Sequence, residues 1–148
     1  MKHLLLAAAL FSALAMSAPA IAQNLDAIKA RKEAFKAMGK VTKEPGQMLK
    51  SEIPFDLAKV TAALDAYIEA SGKLPALFSD DAKTGGETEA LPVIWEKKDE
   101  FVGRFAKLAE DAKAAKTAIT DEFTFQETFP KVVGSCGGCH KIFREAKN

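Results

Sequence analysis

Apolar residues recur at helical spacing along most of this chain, and no stretch shows the strict alternation expected of a β-strand. The first periodic segment covers about residues 25–42, and Pro45-Gly46 is expected to end its helix. Met48, Leu49 and Ile53 then fall in a connector that ends at Pro54. Leu25, Ile28, Lys32, Phe35 and Met38 lie near one stripe of this first segment.

The second periodic segment covers about residues 56–71. Asp56 is a favourable N-cap residue, and Gly72 is of the type that follows a last helical turn. The apolar positions follow an i, i+3, i+7, i+10, i+11 pattern at Leu57, Val60, Leu64, Tyr67 and Ile68. The long connection over residues 72–87 is unusual unless it covers something. Its apolar half could lie over the edge of a large flat ligand, or it could be a surface loop with a few anchoring side chains.

Two further segments complete the pattern. The third starts near Thr88 or Glu89, tolerates Pro92 in its first turn and continues to about Ala118. The fourth covers about residues 124–146, and Pro130 is expected to start, kink or interrupt it. Four amphipathic segments without strands predict an all-α protein, an antiparallel four-helix bundle whose cofactor site would lie between facing helices at one end.

The first 22 residues have the features of a cleaved export signal. Lys2 supplies a positive start, an apolar run follows over residues 4–16, and Ala20-Ile21-Ala22 is a small-residue cleavage site. We therefore predict a signal peptide over residues 1–22, cleaved after Ala22, and a single domain over residues 23–148 with no remaining membrane anchor. In a bacterium the destination would be the periplasm.

Charge adds little to this picture. Lys2 is the one charged residue ahead of Gln23, so its removal from 21 basic residues leaves them equal to the 20 acidic ones. A neutral mature chain gives no reason to expect binding to nucleic acid or to an anionic membrane.

The fourth segment carries Cys136-Gly137-Gly138-Cys139-His140, the C-x-x-C-H spacing of covalent haem attachment. Two thiols three residues apart lie on one face of a helix and can add to the two vinyl groups of one porphyrin. The imidazole of His140 then lies close enough to the iron to become an axial ligand. Cys136 and Cys139 are therefore predicted to bind one haem c per chain.

Other uses of the two cysteines fit less well. A zinc site would need further ligands, yet the sequence has no other cysteine, and its second histidine, His3, lies in the predicted signal. A redox dithiol would need a βαβ context. Because His140 is the one histidine left after cleavage, the remaining strong candidates for a sixth iron ligand are Met38, Met48 or a lysine. Without one of them the iron would be five-coordinate.

A C-x-x-C-H motif near the C-terminus of a four-helix bundle resembles the class II c-type cytochromes, specifically the cytochrome c′ family. The resemblance spans essentially the whole mature chain. It includes Arg31-Lys32-Glu33-Ala34-Phe35-Lys36 on the first helix, Thr88-Glu89-Ala90 leading to Ile94-Trp95, and the motif followed by Phe143-Arg144.

The resemblance implies a high-spin haem with His140 on the proximal side and Phe35 facing the iron on the distal side. The related low-spin cytochromes c-556 place a ligating methionine at the position of Phe35. Met38 lies one turn further on, so a low-spin carrier with Met38 as sixth ligand is the alternative. The same resemblance implies that Arg31 and Lys32 bind the cofactor beside its propionates. It also implies that Thr88 and Glu89 approach the cofactor from the loop before the third helix, and that Arg144 lies on the proximal side.

These residues suggest a periplasmic electron-transfer protein that also binds nitric oxide and carbon monoxide. Phe35 offers no hydrogen bond to dioxygen, which disfavours oxygen carriage. A peroxidase would need a distal acid–base group, which this chain lacks, so an enzyme is not expected. The expected partners are the diatomic gases, redox proteins and a second copy of the chain. The resemblance suggests a homodimer through the first two helices, where Ala27, Ala30, Ala34 and Ala37 offer small side chains.

Overall fold

The computed structural model describes residues 24–146, so the predicted signal peptide lies outside the described residues. The described part of the chain folds into helices joined by short connections and two 3₁₀ turns at Leu74–Leu77 and Asp80–Ala82. The helices are α1 (Leu25–Leu49), α2 (Leu57–Lys73), α3 (Val93–Glu96), α4 (Lys98–Ala118) and α5 (Glu122–Phe143). Helix α1 packs on α2, α2 on α4, and α4 on α5. The four long helices form the four-helix bundle that the periodicity predicted.

Side-chain caps start three of these helices. Asn24 accepts a hydrogen bond from the amide of Ala27 at 3.0 Å at the start of α1, and Asp56 caps α2 as predicted. Asp121 and Thr124 form a reciprocal capping box at the start of α5. This cap begins the helix two residues before the predicted start, because Thr124 is the third residue of the helix and not its first.

Aromatic side chains dominate the core at the end of the bundle that carries the C-x-x-C-H motif. The ring of Phe101 lies 4.7 Å from Phe78, 5.2 Å from Phe105 and 5.2 Å from Phe143, in edge-to-face arrangements. Such pairs contribute beyond their buried area. Phe78 is buried with Leu74, so the apolar half of the long connection is anchored in the core.

Two prolines do not end their helices as the sequence analysis expected. Helix α1 continues through Pro45 to Leu49, because Pro45 and Met48 are both buried and their packing stabilises the last turns. Helix α5 runs through Pro130 without starting or being interrupted there. Pro130 is exposed, so water can reach the carbonyl whose intrahelical donor is missing.

The limits of α2 and of the third segment also differ from the prediction. Helix α2 includes Gly72, and the chain then passes directly into a 3₁₀ turn whose first residue, Leu74, is fully buried. The segment from Glu89 is not helical at its start, because its backbone pairs with the end of α5. The amide of Leu91 donates to the carbonyl of Phe143, and the amide of Glu145 donates to the carbonyl of Glu89. Pro92 disfavours helical geometry in the residue before it. A break at Lys97 then separates α3 from α4.

Helix α5, which corresponds to the fourth predicted segment, ends at Phe143 rather than near Ala146, because Arg144 enters an isolated antiparallel bridge with Ala90. Within residues 24–146, every helix is too short or too polar to span a lipid bilayer.

Candidate functional site

The last turns of α5 carry the motif residues. Cys136 and Cys139 are free and half-buried, and burial raises the pKa of both thiols, while the charge of Arg104 acts in the opposite direction on Cys139. His140 is exposed, but neighbouring groups desolvate part of its ring and lower its pKa, with a further contribution from Arg144. The thiols are therefore protonated and the imidazole is neutral near pH 7, and the neutral imidazole is the form that binds iron.

The ring of Phe35, on α1, faces this motif. Its centroid lies 6.4 Å from that of His140, with the two ring planes at 71°. Phe78 and Phe105 lie beside it, each with its centroid 6.4 Å from that of Phe35. The structure thus brings the predicted axial ligand and the predicted distal residue together, and the wall opposite the imidazole is aromatic hydrocarbon.

Arg31 lies one turn before Phe35 on α1 and is almost completely buried, with 2% of its surface exposed. Its guanidinium donates to the carbonyls of Leu77 (3.2 Å) and Ala82 (2.9 Å) and to the hydroxyl of Thr88 (2.6 Å). Its Cζ also lies 4.4 Å from the ring centroid of Phe78. Burial lowers the pKa of Arg31, yet the group remains charged at every physiological pH. Arg31 therefore joins α1 to the long connection and places a buried cation beside the aromatic wall.

Lys32 holds the polar end of the same connection. Its ammonium donates to the carbonyls of Gly86 (3.1 Å) and Glu87 (3.3 Å) and lies 3.9 Å from the Glu87 carboxylate. These contacts are exposed, in contrast to those of Arg31. The structure therefore brings Arg31, Lys32 and Thr88 together at one end of α1.

Glu89 and Arg144 form an ion pair near the C-terminal end of α5. The Nε atom of Arg144 donates to Oε2 of Glu89 at 2.7 Å, alongside the backbone bridge between residues 89–91 and 143–145. Glu89 and Arg144 act on the imidazole of His140 with opposite charge, since Arg144 lowers its pKa and Glu89 raises it. The two predicted residues are thus partners of each other at the C-terminal end of α5.

Comparison with known proteins identifies the family. The family model described as Cytochrome C' matches residues 26–144. The cytochrome c' of Rhodopseudomonas palustris is 48% identical over 110 residues, which cover 74% of this chain and 75% of that protein. The chain belongs to the cytochrome c′ family.

Solved structures support the same assignment. A cytochrome c' from Rhodopseudomonas palustris superimposes with a TM-score of 0.81 at 48% identity and covers 83% of this chain and 98% of that one. An NMR-validated structural model of oxidized cytochrome c556 from Rhodopseudomonas palustris superimposes with a TM-score of 0.77 at 29% identity, with the same coverage. The chain is thus similar both to a cytochrome c' and to a cytochrome c556.

Members of the cytochrome c′ family carry covalently bound haem c, and this chain is accordingly a monohaem c-type cytochrome. The residues of α5 fit that group. Both thiols are unpaired within the described residues and lie one helical turn apart, next to a neutral imidazole. Across from them Phe35, Phe78 and Phe105 provide an apolar surface for a porphyrin.

The two methionines of α1 differ in their distance from this cytochrome c′ site. Met48 is 1% exposed and lies 13 residues after Phe35, about 20 Å along the helix axis. Its carbonyl accepts a hydrogen bond from Gln126, near the start of α5, so Met48 belongs to the far end of the core. Met38 lies one turn after Phe35 and is 9% exposed, so of these two methionines it is the one near enough to be considered as an iron ligand.

Two features of the site were missed by the sequence analysis. Arg104 on α4 pairs with Glu100 at 2.8 Å and lies next to Gly138 of the motif, and its Nε atom is buried without a hydrogen-bond partner in the described structure. The i, i+4 spacing of Glu100 and Arg104 is visible in the sequence, but their nearness to α5 depends on how α4 and α5 pack.

The second missed feature is a partly buried chain of two hydrogen bonds. The hydroxyls of Tyr67 and Thr42 lie 2.6 Å apart, and Thr42 donates to the carbonyl of Met38 at 2.6 Å. Since the single hydroxyl proton of Thr42 is used there, Tyr67 must be the donor to Thr42. Burial raises the pKa of Tyr67 to about 12, so its phenol keeps this proton. Tyr67 lies on an apolar stripe of the second segment, and nothing in the sequence indicates a partner for its hydroxyl.

Proposed function

We propose that this protein is a periplasmic electron carrier whose haem iron is high-spin and five-coordinate and also binds nitric oxide and carbon monoxide. In this proposal Cys136 and Cys139 attach the haem, His140 is the single axial ligand, and Phe35 covers the opposite face. The haem supplies one-electron redox chemistry and a coordination position for a diatomic gas.

The observation that carries the proposal is the position of Phe35, 6.4 Å from His140 and flanked by Phe78 and Phe105. A phenyl ring cannot coordinate iron, and it excludes water from the face that it covers. It also donates no hydrogen bond to a bound gas, a lack that matters less for nitric oxide and carbon monoxide than for dioxygen. The same hydrocarbon wall lacks the acid–base group that peroxide cleavage requires, so multi-turnover catalysis is not part of the proposal.

The charged residues around the site have supporting roles in this proposal. Arg31 and Lys32 place two cations beside the polar end of the long connection, where the carboxylates of haem propionates would be stabilised. Thr88 orients Arg31 through a 2.6 Å hydrogen bond. The Glu89–Arg144 pair fixes the end of α5 that carries His140.

A second candidate is a low-spin carrier with Met38 as the sixth ligand. It is favoured by the similarity to a cytochrome c556 and by the place of Met38 one turn from Phe35. In the structure, however, the ring of Phe35 lies 6.4 Å from that of the imidazole. Thr42, which binds the carbonyl of Met38 within α1, also forms a hydrogen bond with Tyr67 of α2, and this contact between helices favours the present register of α1.

The absorption spectrum of the reduced holoprotein, with and without carbon monoxide, tests the proposal. A high-spin spectrum that shifts when carbon monoxide is added is expected. A low-spin six-coordinate spectrum that carbon monoxide leaves unchanged would overturn the proposal.

A pair of variants assigns the ligand directly. Phe35→Met should convert the spectrum to a low-spin form, because it places a thioether opposite His140. Met38→Leu should leave the wild-type spectrum unchanged. If Met38→Leu instead converts a low-spin spectrum to a high-spin one, the second candidate is correct.

Export and assembly are separate parts of the proposal. We expect the mature protein to begin at Gln23 and to be recovered from the periplasmic fraction, which N-terminal sequencing of that fraction tests. We also expect a homodimer through α1 and α2. Ala27 is buried and Ala34 packs on the core, so Ala30 and Ala37 are the small residues left at the surface. Sedimentation velocity of the wild type and of Ala37→Glu tests this interface, and two identical monomeric profiles would contradict it.

A further inference from the structure

Five lysines form one continuous stripe on the outer face of α1. They occur at positions i, i+3, i+7, i+11 and i+14, which places them within an arc of about 80° and over a length of about 21 Å. All five are exposed. The stripe consists of Lys29, Lys32, Lys36, Lys40 and Lys43, and we refer to it as the lysine stripe.

The charges of the lysine stripe are only partly compensated. Glu33 lies beside the stripe on the helical wheel, one turn from both Lys29 and Lys36, but it forms no ion pair with them in the described structure. Apart from Lys32, none of its ammonium groups lies within 4.0 Å of a carboxylate in the described structure. Lysines elsewhere are commonly paired, as in Lys107–Asp111, Lys116–Asp65 and Lys73–Glu69. Glu44, an acid of α1 itself, is paired with Lys59 of α2. A chain whose formal net charge is only +1 therefore concentrates positive charge on one helix face.

The lysine stripe borders the candidate site. Lys36 follows Phe35 directly, and Lys32 precedes it by one turn and binds the connection at Gly86 and Glu87. On the helical wheel, Lys32 is about 60° from Phe35, whereas Ala30 and Ala37 lie on the opposite flank of the stripe. An α1–α2 dimer that uses the alanine flank would leave the lysine stripe accessible, whereas packing two lysine stripes against each other would oppose like charges.

We propose that the lysine stripe is the docking surface for an acidic electron-transfer protein. This inference rests on the proposed function, since it assigns the chemistry of the redox partner of the same haem. A partner bearing surface carboxylates near its own redox centre would be steered to the stripe, where Phe35 and the haem pocket are adjacent. One electron then passes between the two centres, one being oxidised and the other reduced, and no covalent bond forms.

Stopped-flow kinetics with a defined acidic protein test this inference. The probe is flavodoxin hydroquinone, which gives one electron to the ferric holoprotein and becomes the semiquinone. The double variant Lys36→Glu with Lys40→Glu should lower the second-order rate constant about tenfold at low ionic strength, and the difference should shrink as salt is added. If Glu at these positions disturbs folding, Lys36→Gln with Lys40→Gln should give a smaller decrease in the same direction.

The matched control changes the net charge equally at another place. Lys113 on α4 and Lys131 on α5 are exposed and have no carboxylate within 4.0 Å in the described residues, and they lie about 12 Å or more along their helices from Phe105 and His140. Lys113→Glu with Lys131→Glu should change the rate constant less than twofold. Equal effects of the two pairs, or no effect of either, would overturn the inference.

Two further measurements distinguish protein docking from a defect of the haem site and from binding to a membrane. The carbon monoxide spectrum should be the same in all variants. A docking defect would therefore change only the rate constant of the variants, whereas failure of the proposed function would appear in the spectrum of the wild type. Sedimentation with phosphatidylglycerol vesicles at physiological salt should leave the protein in solution. Vesicle binding that the Lys36/Lys40 variant abolishes, together with unchanged flavodoxin kinetics, would assign the stripe to a membrane and overturn the inference.

Discussion

Replacing Arg31 with methionine should destabilise the protein substantially, although the two side chains are similar in length. In the wild type the guanidinium donates to the carbonyls of Leu77 and Ala82 and to the hydroxyl of Thr88. Methionine fills much of the same space but donates no hydrogen bond. The variant therefore leaves three acceptors without their donor between α1 and the long connection.

The size of the effect follows from the burial of those acceptors. The Ala82 carbonyl is buried, and leaving a buried polar group unpaired costs about 1–3 kcal/mol. Leu77 and Thr88 are only partly buried, so water can recover part of their loss. Burying a thioether in place of a cation offsets some of the cost. We expect a net loss of about 3 kcal/mol in the free energy of unfolding.

Urea unfolding of the holoprotein, followed by circular dichroism and Soret absorbance, measures this loss. With a typical urea dependence, about 3 kcal/mol corresponds to a midpoint lower by roughly 1–3 M. Lys32→Met is the matched control, because its hydrogen bonds to the same connection are exposed and should contribute less than about 1 kcal/mol. The reasoning fails if Arg31→Met loses less than about 1 kcal/mol, or if the two variants lose equally.

Two further predictions concern the loop and a helix cap. Gly86 has a φ of 55°, and a Cβ atom there would lie 2.9 Å from Cγ2 of Ile28, so Gly86→Ala should destabilise the protein by about 1–3 kcal/mol in urea unfolding. The same exchange at Gly39, in open space on α1, should stabilise it by about 0.5–1 kcal/mol, and a stabilised Gly86→Ala would contradict this account. Hydrogen bonds from the amide and hydroxyl of Thr124 hold the pKa of Asp121 below its usual value. The ionised form of Asp121 therefore stabilises the fold above about pH 4, and this contribution is lost as the pH falls through the lowered pKa. Asp121→Asn keeps a capping residue but should flatten the pH dependence of the thermal midpoint below about pH 4, and parallel curves for the two proteins would refute this.

The helical periodicity predicted the number and order of the long helices, because each must bury one apolar stripe. Helix ends were harder to predict where tertiary packing outweighs local preference. Pro45 lies inside α1 because it is itself part of the core, and Gly72 does not stop α2 because Leu74 is drawn into the interior immediately afterwards. The start of the third segment was misplaced because its backbone partners come from residues 143–145, far away in the sequence.

In the candidate site, likewise, the sequence predicts several residues but not the contacts that depend on helix packing. Motif spacing and family resemblance predicted Cys136, Cys139, His140 and Phe35, and the structure brings the rings of Phe35 and His140 within 6.4 Å of each other, edge to face. The position of Arg104 depends on how two helices cross, which no local pattern records. The pairing of Glu89 with Arg144 likewise joins residues 55 positions apart, so the sequence could predict each residue but not their contact.

The antiparallel bridge at the end of α5 limits how the imidazole can move. The amide of Leu91 donates to the carbonyl of Phe143, and the side chain of the next residue, Arg144, donates to Glu89. Together with the bridge between Ala90 and Arg144, these bonds hold the backbone that follows His140 in place. Unwinding the final turn would require several of these bonds to break together. In the proposed haem site, release of the His140 imidazole from the iron would therefore involve rotation about its own side-chain torsions, and the helix would stay in place.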